Sequence, residues 1–119
     1  VKANVLRIGN LVMGNEPFEI DLYCLNMLNI YPDKYMPIQL NDEWFKKFGA
    51  KLDNNGNWWF DLIECYLEFN KSLNFYYPTY GQAPEFSHME ENRIGLRCIQ
   101  YVHELQNLYF TLTGTELKY

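Results

Sequence analysis

The segment Tyr101–Thr113 constrains this chain most. Val102, Leu105, Leu108, Tyr109 and Leu112 recur at helical spacing and share one broad face, with Glu104, Asn107 and Thr111 opposite. Gly114 follows as a stop, because glycine enters the left-handed backbone that ends a helix at no steric cost. A helix with one apolar face must bury it, and the strand-like segments upstream offer the surface. Its start is open. Ile94, Leu96 and Cys98 alternate as in a strand, which puts a last strand at 94–100 and the helix at 101–113. The wheel also accommodates one longer helix from Leu96. His103 and Phe110 are the outliers, seven residues apart and so stacked along one flank, and Phe110 is expected to be largely buried, in the monomer or at a dimer contact.

Upstream, the period changes to two. Val5–Val12 alternate imperfectly around Gly9-Asn10, as in a strand with a turn or bulge. Phe18, Ile20, Leu22 and Cys24 fall opposite Glu19, Asp21 and Tyr23, which predicts a half-buried strand. The run Leu25–Tyr31 either prolongs it or forms a helical turn. Asn41 as cap, Asp42 and Glu43 in a first turn, Lys46 and Lys47 late and Gly49 beyond predict a short helix over 41–48. Asn55-Gly56 predicts a two-residue type I′ hairpin between 50–53 and 57–61. Further strands are expected at 64–70 and 73–77, turning at Asn70-Lys71-Ser72.

These elements imply an α+β fold: a mostly antiparallel twisted sheet of five or six strands, the C-terminal helix packed on one face, and the short helix at an edge or end. The 119 residues suit a single domain, 1–119, and 48% hydrophobic types with 18% aromatics supply a core without disulfide or metal staples. Cys24, Cys65 and Cys98 are odd in number and lack metal-ligand spacing, so they read as free cysteines of a reducing cytoplasm. No signal-peptide pattern and no apolar run of about 18 residues is present, so no membrane span is expected.

Charge and motifs exclude more than they assign. Fifteen acidic residues against ten basic give a net charge of −5, and Lys46-Lys47 is the longest basic cluster, which disfavours a phosphate-binding surface. No glycine-rich phosphate loop, nucleophile elbow or HExxH motif occurs. His103 has Glu104 beside it, but adjacent helical residues point apart; His88 lies in a loop, and Ser87 with Glu90 fits a capping box. The chain therefore reads as a non-catalytic protein with no cofactor and no metal site. A small enzyme built on His103 would need a cleft there with a carboxylate or cysteine in reach.

One stretch stands out. Residues 73–92 hold Phe75, Tyr76, Tyr77, Tyr80 and Phe86 with Glu85, Glu90 and Glu91, and no Lys or Arg. Tyrosine offers large contact area at low entropic cost, and acidic groups select basic surfaces. Tyr76, Tyr77, Tyr80, Phe86, Glu85, Glu90 and Glu91, with His103 and Phe110, are the candidate partner-binding residues. The competing reading folds the aromatics back over the sheet. A single-stranded nucleic acid stacked on Trp58 and Trp59 beside Lys46, Lys47, Lys51 and Lys71 is the alternative ligand. A homodimer through a sheet edge or the tyrosine segment is also compatible with so aromatic a chain.

Leu6-Arg7-Ile8-Gly9-Asn10, the run Pro37–Trp44 through Lys47-Phe48-Gly49, and Tyr101–Phe110 through Leu112-Thr113-Gly114 resemble an uncharacterised family of small proteins from Bacteroides-type bacteria and their phages and mobile elements. The three segments cover under a third of the chain. Asn41-Asp42 stands where that family more often has Thr-Glu; both pairs give a cap and an acidic first turn. The resemblance brings no activity and no catalytic residue. It implies an origin in a phage or mobile element, a bacterial cytoplasm, and a small acidic protein that binds, or inhibits, a host protein.

Overall fold

The structure is a computed structural model that describes residues 3–62, 65–82 and 93–119. It is α+β, with antiparallel strands divided between a two-stranded and a five-stranded sheet. The chain forms two compact units: 1–40 with 101–117, and 41–100 with 118–119.

The first unit opens with a 3₁₀ turn at Ala3–Val5, then β1 (Leu11–Met13) and β2 (Pro17–Glu19), which pair antiparallel. The strand expected through Cys24 ends at Glu19, and α1 (Leu22–Ile30) takes its place. Asp21 makes the switch: its side chain accepts a 2.8 Å hydrogen bond from the Cys24 amide and caps the helix. That bond holds the Asp21 carboxyl below the usual carboxylate range. Cys24 and Leu28 face a small core with Leu6, Val12 and Ile20.

The helix α3 (Val102–Thr113) belongs to this unit. It starts near 101, not 96. Glu104 accepts a hydrogen bond from the Tyr101 amide, and Gly114 ends it at φ +71°. Its polar side chains grip the N-terminal segment. The Gln106 amide accepts from the Leu11 N–H at 2.8 Å and donates to the Gly9 carbonyl at 3.3 Å, as a neighbouring strand would. Asn107 Oδ1 accepts from Asn10 Nδ2 and Arg7 Nε, and Asn107 Nδ2 donates to the Val5 carbonyl. Arg7 also pairs with Glu116. Asn10 and Gln106 are buried, so these bonds satisfy polar groups that water cannot reach.

The second unit holds α2 (Asp42–Lys47), β3 (Lys51–Leu52), β4 (Trp58–Leu62), β5 (Cys65–Ser72), β6 (Phe75–Gln82) and β7 (Arg93–Gly95), with the strands in that spatial order. Asn41 caps α2 through the Trp44 amide, and Gly49 follows at φ +82°. The short helix does not merely guard an edge. Phe45, fully buried, stacks on Trp58 at 5.7 Å and meets Phe69 and Tyr76 at 5.1 and 4.9 Å, so α2 roofs one sheet face with a ring cluster.

Two turns differ from expectation. The β3–β4 turn is not type I′: Gly56 alone has positive φ, its N–H donates to the Asp53 carbonyl, and the three-residue loop is a type I turn with a glycine bulge. Asp53 Oδ1 braces it by accepting from Asn55 and Asn57. The β5–β6 turn lies at Leu73-Asn74, with Leu73 at φ +56°, so both strands run longer than expected. The expected last strand at 94–100 is three residues, Arg93–Gly95, followed by an isolated bridge from Ile99 to Tyr76.

Candidate functional site

Strand register sorts the aromatic residues onto two faces. Residues paired across strands share a face, and consecutive residues alternate. On the inner face Tyr76, Pro78 and Tyr80 join Phe69 and Leu67 of β5 and Trp58 and Phe60 of β4. On the outer face Phe75, Tyr77 and Thr79 join Ser72, Asn70 and Glu68 of β5, then Trp59 of β4 and Lys51 of β3.

The tyrosine segment is thus divided. Tyr76 is 1% exposed and belongs to the core, although its hydroxyl has no hydrogen-bond partner among the described residues. Burial, with Asp42 nearby, pushes its pKa up. Tyr80 is half-buried, and a hydrogen bond with the Cys65 thiol raises its pKa. Tyr77 is 46% exposed and Phe75 38%, both on the outer face. The expected patch of Tyr76, Tyr77 and Tyr80 is therefore corrected to Tyr77 with Phe75. Glu85, Phe86, His88, Glu90, Glu91 and the expected Ser87 capping box lie outside the described residues.

The outer face mixes rings with charge. Lys51 Nζ lies 5.0 Å from the Trp59 ring centroid and 3.1 Å from the Asp61 carboxylate. Glu68 accepts a hydrogen bond from Asn57. Trp59 is half-buried and Tyr66 buried on this face, so the exposed area centres on Tyr77, Phe75 and the rim of Trp59. Trp58 offers nothing to a stacked base: it is 5% exposed and its indole N–H donates to Asp42. Lys47 lies over the buried Trp44 ring at 4.5 Å. What remains for base stacking is Trp59 beside a lysine that Asp61 already partners.

The α3 flank is also corrected. His103 is 4% exposed, stacked on Tyr101 with ring centroids 5.8 Å apart, and its Nδ1 has no partner among the described residues. Burial lowers its pKa, which favours the neutral ring. It is not at the surface to touch a partner. Phe110, expected to be largely buried in the monomer or at a dimer contact, is 37% exposed in the single chain, with the Arg7 guanidinium 4.3 Å from its ring centroid. That cation–π contact belongs to the network joining Arg7, Asn107 and Glu116. No group of three or more His, Cys, Asp or Glu side chains among the described residues could hold a metal ion. No helix among them is long and apolar enough to cross a membrane.

Sequence reasoning missed one surface. Leu22, Tyr23, Ile30 and Tyr31 are 63%, 68%, 66% and 58% exposed on and just after α1. The available signal was Asp21 ahead of nine residues without a charge, which suits a capped helix as well as a strand.

No family model matches the chain, and no curated protein or solved structure is significantly similar to it.

Proposed function

We propose that the chain is a non-catalytic protein-binding module whose contact surface is the outer face of the five-stranded sheet. One observation carries this reading: Tyr77 and Phe75 are exposed on that face while their neighbour Tyr76 is core. Two large rings in alternate positions on one sheet face offer a partner an anchor of few rotamers. Trp59, Lys51 and Glu68 supply a mixed polar rim. The net charge of −5 favours a partner with a basic surface. The resemblance described above adds an origin in a phage or mobile element and, for the partner, a host protein that the module binds or inhibits.

Retention of proteins from a bacterial lysate on the immobilised chain tests the reading. A protein held by wild type and released by the double variant Trp59→Ser/Tyr77→Ser supports it. The same protein held equally by both would remove the outer face as the contact. The nucleic-acid reading rests on Trp59 beside Lys51. It requires a gel shift with single-stranded oligonucleotide that weakens as salt rises.

A further inference from the structure

Asn55-Gly56 is a motif that the fold uses for shape and leaves open to chemistry. Asn55 is the only asparagine in the chain that a glycine follows. Both residues are exposed, in the loop between β3 and β4. The Asn55 side-chain amide makes no hydrogen bond among the described residues, and nothing lies within 4 Å of the place a Gly56 side chain would fill. An asparagine Cγ is within reach of the next residue's backbone nitrogen, and glycine hinders that approach least. Here the nitrogen is held. The Gly56 N–H donates to the Asp53 carbonyl at 3.2 Å, and Asp53 Oδ1 accepts from the Asn55 and Asn57 N–H groups at 2.8 and 2.9 Å. Three successive N–H groups are thus tied to one residue.

We infer that Asn55 is a site of spontaneous covalent modification, deamidation through a cyclic imide closed by the Gly56 nitrogen, and that Asp53 sets its rate. The Gly56 nitrogen gives its proton to solvent and bonds to Asn55 Cγ. The Cγ–Nδ2 bond breaks, and the nitrogen takes a proton from solvent and leaves as ammonia. Water then opens the imide at either carbonyl. Attack at Cγ yields aspartate; attack at the main-chain carbonyl carbon leaves the chain running through Cγ, as isoaspartate. Ammonia leaves, water enters, and nothing is oxidised or reduced. Ring closure takes the Gly56 nitrogen out of its bond to Asp53 and turns the Asn55 backbone away from type I geometry, so the loop must open first. β3 is two residues long and lies at the sheet edge, so that opening leaves β4–β6 intact. Either product adds a negative charge close to Asp53. Isoaspartate also adds a backbone atom to the loop. That loosens the brace and with it β3, whose Lys51 lies over the Trp59 ring.

Incubation of the folded chain in mildly alkaline buffer, followed by peptide mapping with fragment-ion mass spectrometry, tests this. The mass shift of an amino group exchanged for a hydroxyl should accumulate at Asn55 ahead of Asn54 and Asn57, with isoaspartate among the products. Asp53→Ala removes two bonds that hold the loop shut, so its folded form should convert roughly tenfold faster than folded wild type and approach the rate of wild type in urea. Asp53→Ser keeps an oxygen acceptor and drops the charge, so it should stay within about threefold of wild type. Circular dichroism shows that each variant is folded. An Asn55 unchanged in the folded chain long after the urea sample has fully converted would overturn the site. Equal rates in wild type and Asp53→Ala would overturn the role of Asp53, as would equal acceleration by Asp53→Ala and Asp53→Ser, which would assign the protection to charge. The isoaspartyl form should exchange its β3 amides faster than the aspartyl form; equal exchange would overturn the loosening of β3.

Discussion

The two compact units solve the problem of a small core differently. In 41–100, rings do the work: Phe45 reaches from a six-residue helix into Trp58, Phe60, Phe69 and Tyr76. In 1–40 with 101–117, a small aliphatic core is supplemented by polar ties from the N-terminal segment to the C-terminal one: Arg7 and Asn10 to Asn107, Gln106 to Gly9 and Leu11, Arg7 to Glu116. Dispersion and apolar burial grow with the area a ring covers, so the aromatic cluster tolerates imperfect angles. Buried hydrogen bonds add little when made and cost much when broken on one side, so the polar unit depends on every partner being present.

That contrast can be broken at either end. The largest loss is expected for Phe45→Ala, about 4 kcal/mol, because a fully buried ring at the centre of the cluster leaves a cavity. Urea denaturation measures it, and lost amide protection across β4–β6 locates it. Gln106→Leu comes next, at about 2 kcal/mol. Leucine is similar in bulk, so the loss comes from stranding the Leu11 N–H and Gly9 carbonyl; hydrogen exchange at the Leu11 amide should accelerate in that variant.

A smaller effect follows from His103. Its folded-state pKa is lowered by burial, so below about 6.5, the ordinary imidazole value, the unfolded chain binds a proton more readily than the folded chain. Stability therefore rises with pH through that window and is lost as pH falls toward the folded-state pKa. In His103→Gln the difference between urea midpoints at pH 7.5 and pH 5.5 should shrink. An unchanged difference would assign the acid sensitivity to other groups.

The helices were legible where contrast was strong. The apolar face of α3, with polar residues opposite and Gly114 after, could be drawn from spacing alone, and so could α2 between Asn41 and Gly49. The segment Leu22–Ile30 was not, because a helix apolar on both sides offers no contrast, and Phe18, Ile20, Leu22 and Cys24 mimic a period of two across a strand end and a helix start. The β5–β6 turn was misplaced because Leu73 takes a positive φ that its side chain disfavours, which no turn signal announces. The candidate site was half legible. Aromatic density in 75–80 marked the region, but consecutive strand residues face opposite ways, so Tyr76 and Tyr77 could never share a patch. His103 and Phe110 were singled out by their place on the wheel, which reports direction and not what Tyr101 and Arg7 lay over them.

Tyr76 and Tyr77 therefore make the sharpest test, since one peptide bond separates core from proposed contact. The measurement is the urea midpoint of Tyr76→Ser and Tyr77→Ser, read beside retention of the protein that the wild-type chain captures. Tyr77→Ser should keep its stability within about 0.5 kcal/mol, as exposed positions do, and lose the captured protein. Tyr76→Ser should lose several times that stability. A Tyr77→Ser chain that holds the partner as wild type does, or that unfolds as readily as Tyr76→Ser, would contradict the account.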